Sequence, residues 1–132
     1  MVASDNRVRN WLDEAQADLD ASLVLIQGGH FNASVFHCQQ AAEKAMKALL
    51  LNLHEAPWGH SVWNLYLDAC RSLGTEDPTV EKATRSLDFH YISSRYPDAF
   101  PSGTAAEHYD RSDAEEALVW AKTVLAFVTK HL

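Results

Sequence analysis

At 132 residues the chain has the length of one domain, long enough to bury roughly two-thirds of the surface its unfolded form exposes. Its 47 % hydrophobic and 22 % charged residues exclude a disordered or low-complexity chain, and 11 basic against 18 acidic residues, a formal charge of −7, argue against indiscriminate nucleic-acid binding. From Met1 to Asn6 there is no apolar leader, and no stretch approaches the ~18 apolar residues that span a bilayer, so a cytoplasmic protein without membrane contact is expected.

Apolar spacing predicts helices in order along the chain. In the first, Val8, Trp11, Leu12, Ala15, Leu19, Leu23 and Ile26 recur every three or four residues; Ser4 or Asp5 is placed to cap it and Gly28-Gly29 to stop it. The second runs from about Asn32, read as its N-cap, to Glu55, with Val35, Cys38, Ala42, Ala45, Met46, Leu49 and Leu53 as its core stripe. A third follows His60-Ser61, with Val62, Leu65, Tyr66, Ala69 and Leu73 inward and Gly74 at its end. Asp77-Pro78 opens the fourth, whose stripe is Val80, Ala83, Thr84, Leu87 and Tyr91. The last is expected to start at Ser112 with a Ser112/Glu115 capping box and to bury Ala114, Leu118, Ala121, Leu125 and Val128. Residues 93–109 lack the helical period but carry Tyr96, Phe100 and Tyr109, which predicts an ordered loop laid across the bundle. The fold class is therefore all-α: an up-and-down bundle of four to five helices with a long ordered loop before the last, forming a single domain over 1–132.

Cys38 and Cys70 form no Cys-x-x-Cys pair and read as buried thiols. The seven histidines make no His-x-x-x-His, no nucleotide-binding glycine loop is present, and neither a metal nor a cofactor is expected. More informative is the second helix, where Phe36, Gln40, Glu43, Lys47 and His54 fall within about 60° of one another. Glu43 and Lys47 in i,i+4 order fit a solvated ion pair, but Phe36 and Leu51 beside them suggest that something covers this face. Gln39, on the edge of the apolar stripe, needs a hydrogen-bond partner if buried. In the loop, Arg95 is either the ion-pair partner of Asp98 across Pro97 or a two-pronged donor to a phosphate or carboxylate. His60 either packs locally or belongs to a site with Arg95.

Several blocks read together: Trp11 with Ala15 and Asp18-Leu19; Gln39 through Leu50, reading Gln-Gln-Ala-Ala-Glu-Lys-Ala-Met-Lys-Ala-Leu-Leu; His60-Ser61; Leu87-Asp88 with Tyr91; and Arg95-Tyr96-Pro97-Asp98. In this order, from about Trp11 to Val128, the chain resembles the HEPN family (higher eukaryote and prokaryote nucleotide-binding domains) in its small stand-alone prokaryotic form. The resemblance implies a homodimeric helical bundle encoded beside a minimal nucleotidyltransferase, as in a toxin–antitoxin-like pair. It also implies a nucleotide or RNA ligand, with Arg95, Tyr96, Asp98, His60, Gln40, Glu43, Lys47 and Tyr109 as candidate contacts. Many HEPN members are metal-independent ribonucleases using Arg-x(4–6)-His. Here no histidine stands at that spacing after Arg95. Arg85 and His90 do fit it, but chance supplies such a pair in this composition, and an offset of five separates two helical residues by about 140°. A ribonuclease using Arg95 with His60 or His108 is thus the alternative to a binding module, and a ligand-free oligomeric interaction domain is the third reading. Phe36, Leu51, Trp120 and Phe127 are the apolar residues on which a dimer surface is expected.

Overall fold

The computed structural model describes residues 2–132, with side chains from Asn6 onward. Five helices follow in order: α1 (Val2–Gln27), α2 (Phe31–Asn52), α3 (Val62–Leu73), α4 (Pro78–Ser93) and α5 (Arg111–Lys130). Two short 3-10 turns, Pro97–Ala99 and Ala106–His108, lie between α4 and α5, and no strand occurs among the described residues. The expected all-helical bundle is what forms. No described helix is long and apolar enough to cross a membrane.

Helix α2 is the hub, packing on α1 along most of its length and also meeting α5, α3 and α4. That position explains why its burial is wider than one stripe: Ser34, Gln39, Ala41, Glu43, Ala48 and Leu50 are enclosed together with the expected Val35, Cys38, Ala42, Ala45, Met46 and Leu49. A helix enclosed on most sides has no solvated face. Alanines at 41, 42, 45 and 48 let the neighbouring helices approach closely. Both thiols are buried, and burial pushes Cys38 up to about 11.

Several boundaries differ from the sequence pattern for local reasons. Helix α1 already runs from Val2, so Ser4 and Asp5 lie inside it, and Leu23 is 38 % exposed because the buried line passes through Ser22 instead. Asn32 sits within α2 and donates to the Ser94 carbonyl at 3.1 Å, tying the start of α2 to the end of α4 rather than capping its own helix. Asp110, not Ser112, caps α5: its carboxylate accepts from Asp113 N at 3.0 Å while Asp113 Oδ2 accepts from Asp110 N at 2.9 Å. This capping box starts two residues before the expected one. Helix α5 consequently buries Ala117, Val124 and Phe127 along with Ala114, Ala121 and Val128, leaving Leu118 and Leu125 half-buried.

Asp77 caps α4 and Ser61 caps α3, as their positions before the helices predict. The α3–α4 turn is clamped by Tyr66, whose hydroxyl donates to the Asp77 carbonyl at 3.0 Å and accepts from Asp77 N at 2.7 Å; its burial pushes the phenol up to about 12. The 94–110 loop is ordered on the bundle by buried Ala105 and Tyr109, with Tyr96 and Phe100 extended before their prolines.

Candidate functional site

Where α2 passes under the 53–61 loop and the end of α4, its polar residues are enclosed. Glu43 is only 4 % exposed, and a carboxylate so buried needs charged or donating partners. Lys47 Nζ lies 3.1 Å from its Oε2, and His60 Nδ1 lies 3.3 Å from the same oxygen. The amides of Gln39 and Gln40 approach Oε1 at 3.5 Å. Gln40 donates to Gln39 Oε1 at 2.7 Å, and Gln39 in turn donates to the His60 carbonyl at 3.1 Å. The buried glutamine thus finds its partner in the loop backbone, and the loop is pinned at His60.

Because an ionised carboxylate only accepts, Nδ1 of His60 is the donor and Nε2 is left for the mostly exposed side of the ring. That ring stacks on Tyr91, with centroids 5.4 Å apart and planes 14° from parallel. Arg95 continues the line. Its Nε donates to the Tyr91 carbonyl at 3.1 Å, and its guanidinium packs against Phe36 (4.5 Å), Tyr91 (4.7 Å) and Tyr96 (4.9 Å). Among the described side chains no carboxylate lies within 4 Å of Arg95, so its terminal nitrogens carry charge and donors without an acidic partner. At the other end Lys47 sits over the Trp11 ring at 5.4 Å. The result is one continuous strip from Trp11 through Lys47, Glu43, His60, Tyr91 and Arg95 to Tyr96. The cover over the second helix's polar face comes from the chain's own loop and from α4.

The remaining candidates are placed elsewhere. Asp98 is exposed in the Pro97–Ala99 turn and makes no ion pair with Arg95, which the three rings position instead. His108 stacks face to face on Phe100 at 4.0 Å and bonds to the Ser102 carbonyl at 2.7 Å, contacts that keep it within its own loop. Tyr109 is buried, with its hydroxyl 2.6 Å from His90 Nδ1 and 2.8 Å from Ser93 Oγ. Gln40, Glu43, Lys47, His60, Arg95 and Tyr96 share the strip; Asp98, His108 and Tyr109 do not join it.

A family model described as the HEPN domain matches residues 8–132. The chain belongs to the HEPN family. "Putative toxin MJ1304" of Methanocaldococcus jannaschii is 31 % identical over 130 residues, covering 92 % of this chain and 86 % of that protein. Among solved structures, TT1696 from Thermus thermophilus superposes with a TM-score of 0.92 at 41 % identity, over 96 % of this chain and 99 % of that one. ST0689, an archaeal HEPN homologue, gives a TM-score of 0.79 at 33 % identity, over 94 % and 96 % of the two chains.

Two further features of this HEPN chain lie outside the residues that the sequence singles out as candidates. Asp88, on α4, reaches the start of α3: it accepts from Ser61 Oγ at 2.6 Å, Val62 N at 2.7 Å and Trp63 N at 3.2 Å. An anion on these open N–H groups fixes the helix start that follows His60. Secondly, Arg85 and His90 line one open groove with Ser86, Phe89 and Trp120, despite their separation on the helical wheel. Trp120 from α5 forms the wall of the groove between them. Arg85 packs over Trp63 at 4.9 Å, while burial lowers the pKa of His90 against the opposing pull of Asp113 and Glu116 and so favours its neutral form.

Proposed function

We propose that the chain is a phosphate-binding HEPN module, taking a nucleotide or RNA at Arg95 and His60 as one cytoplasmic domain of a toxin–antitoxin-like pair with a minimal nucleotidyltransferase. The observation that carries this reading is the Arg95 guanidinium, held on three aromatic rings and through Nε, with no carboxylate against it. A planar fork so restrained suits two-pronged recognition of a phosphate. The toxin name borne by the Methanocaldococcus relative supports the pairing. Arg95→Ala is expected to lower affinity for RNA or a nucleotide at least tenfold while leaving helical content unchanged, and Arg95→Lys to recover only part, measured by calorimetry and circular dichroism. Unchanged affinity in Arg95→Ala removes the assignment.

A metal-independent ribonuclease is the second reading, favoured by the groove that Arg85 and His90 share. A neutral imidazole is the form that accepts the proton of a 2′-hydroxyl, and Arg85, which lies 3.9 Å from Glu81 and lines the same groove, would turn to hold the scissile phosphate. The same groove borders Phe89, 77 % exposed, and Ile92 one turn on is also exposed. A homodimer would bury these residues, whereas Phe127 is already in the core and Phe36 is covered by Arg95. RNA cleavage in EDTA that is abolished by His90→Ala but not by His60→Ala would select this reading.

A further inference from the structure

Beside the strip, one large side chain stands in water. Trp58 is 86 % exposed, an arrangement that leaves most of an indole unburied without gain to the fold. It is presented on a short stalk: Gly59 follows with φ +86°, a left-handed conformation that reverses the chain and returns His60 to Glu43. The base of that stalk is immobilised twice, by Gln39 on the His60 carbonyl and by Asp88 on Ser61. The indole is therefore exposed two residues from a fixed point of the backbone. Trp58 and His60 line a cleft of about 420 Å³ together with Asn64 and Asp68, within the range of small-ligand sites. Asp68 is paired with Arg71, while the exposed Asn64 amide offers a donor and an acceptor side by side. At the far end of the strip Tyr96 is 48 % exposed next to Arg95. The order along the surface is indole, imidazole, phenol, guanidinium, phenol.

Few positive charges are available here, since Lys47 is committed to Glu43 and the chain as a whole carries −7. Arg95 alone neutralises about one phosphate, too few to hold a duplex backbone but enough to orient a strand whose bases stack on exposed rings. We infer that Trp58 is a stacking platform for an unpaired nucleobase, and that the site takes a single-stranded polynucleotide in preference to a duplex. This rests on the reading of Arg95 and His60 as phosphate contacts and adds the base. The Asn64 amide matches the paired acceptor and donor on an adenine edge.

The test compares an oligo(A) hexamer, as RNA and as DNA, with its duplex and with ribose 5-phosphate, which has a phosphate and no base. Trp58→Ala should weaken hexamer binding about 5- to 100-fold and Trp58→Phe should restore most of it. Ribose 5-phosphate binding should not change in either variant. The affinity for the RNA hexamer should fall with salt with a logarithmic slope of about 0.7, as for one phosphate. Stacking of either the RNA or the DNA hexamer upholds the proposal, and their ratio reports any use of the 2′-hydroxyl. Hexamer affinity unchanged in Trp58→Ala, or a duplex bound as tightly as the single strand, overturns it. If Arg95→Ala then still abolishes binding of both hexamer and ribose 5-phosphate, the phosphate site stands and only the platform falls. Wild-type protein that takes neither ligand removes both.

Discussion

Arg95 and His60 on the strip, and Arg85 and His90 in the α4–α5 groove, present the same two functional groups through opposite constructions. On the strip, His60 comes from the loop before α3 and Arg95 from the end of α4. They are held by a buried carboxylate on α2, a glutamine chain and stacked rings. In the groove both residues belong to α4, backed by Trp120 of α5, Tyr109 of the loop and Trp63 of α3. The strip is thus assembled from separate elements, whereas both functional groups of the groove are carried by one helix. Mutations of buried supports should separate the two.

The largest separation is expected from Glu43→Ala. It leaves Lys47 and His60 Nδ1 without their carboxylate partner, and breaking such a buried pair costs about 3–5 kcal/mol. Urea denaturation should show this loss. A loss under about 1 kcal/mol would mean the carboxylate is not a keystone of the strip. Asp88→Ala should do less, roughly 1–2 kcal/mol, because the Ser61 side chain still caps α3 through Asn64 N at 3.1 Å. Amide exchange should quicken at Val62 and Trp63 and stay unchanged in α5; uniform quickening would show that the effect is not local. The smallest effect should come from the groove and from pH. Burial holds the pKa of His90 below its ordinary 6.5, so its contribution to stability is present above that pH and lost as pH falls through the folded-state value. His90→Gln should flatten that part of the acid limb of the stability curve, whereas His60→Gln should leave it in place. An unaltered limb in His90→Gln would mean that other groups set it.

The helices are legible in the sequence because each buries a stripe with a 3.6-residue period and because Asp77, Ser61 and Gly74 mark ends in the usual way. Gln39 is legible as a residue needing a partner. What escapes the pattern is created by docking. Tyr91 fits the inward stripe of α4, yet it joins His60 to Arg95, because the element it faces is a polar loop rather than a helix. Glu43 and Lys47 have the spacing of a surface pair, and it is the docking of the 53–61 loop, the end of α4 and Trp11 of α1 around α2 that encloses them. Asp110 is hard to read as a cap because Asp113 takes the place usually given to a glutamate, two residues ahead of the Ser112/Glu115 alternative. Helical-wheel angles place Arg85 and His90 apart, since they describe Cα directions and not the reach of long side chains.

The hold of Asp88 on α3 also has a meaning for the order in which the protein assembles during synthesis. When α3 has left the ribosome, the residue that completes its first turn is still to come, and so are Tyr91 and Arg95. Loop 53–61 and its glutamate-facing histidine therefore have no lasting position until α4 has docked. The packing of α1 on α2 is encoded upstream of all this and has no such wait, although α2 meets α3, α4 and α5 only later. Vectorial emergence would leave the loop bearing Trp58 to be locked after the α1–α2 pair it rests on.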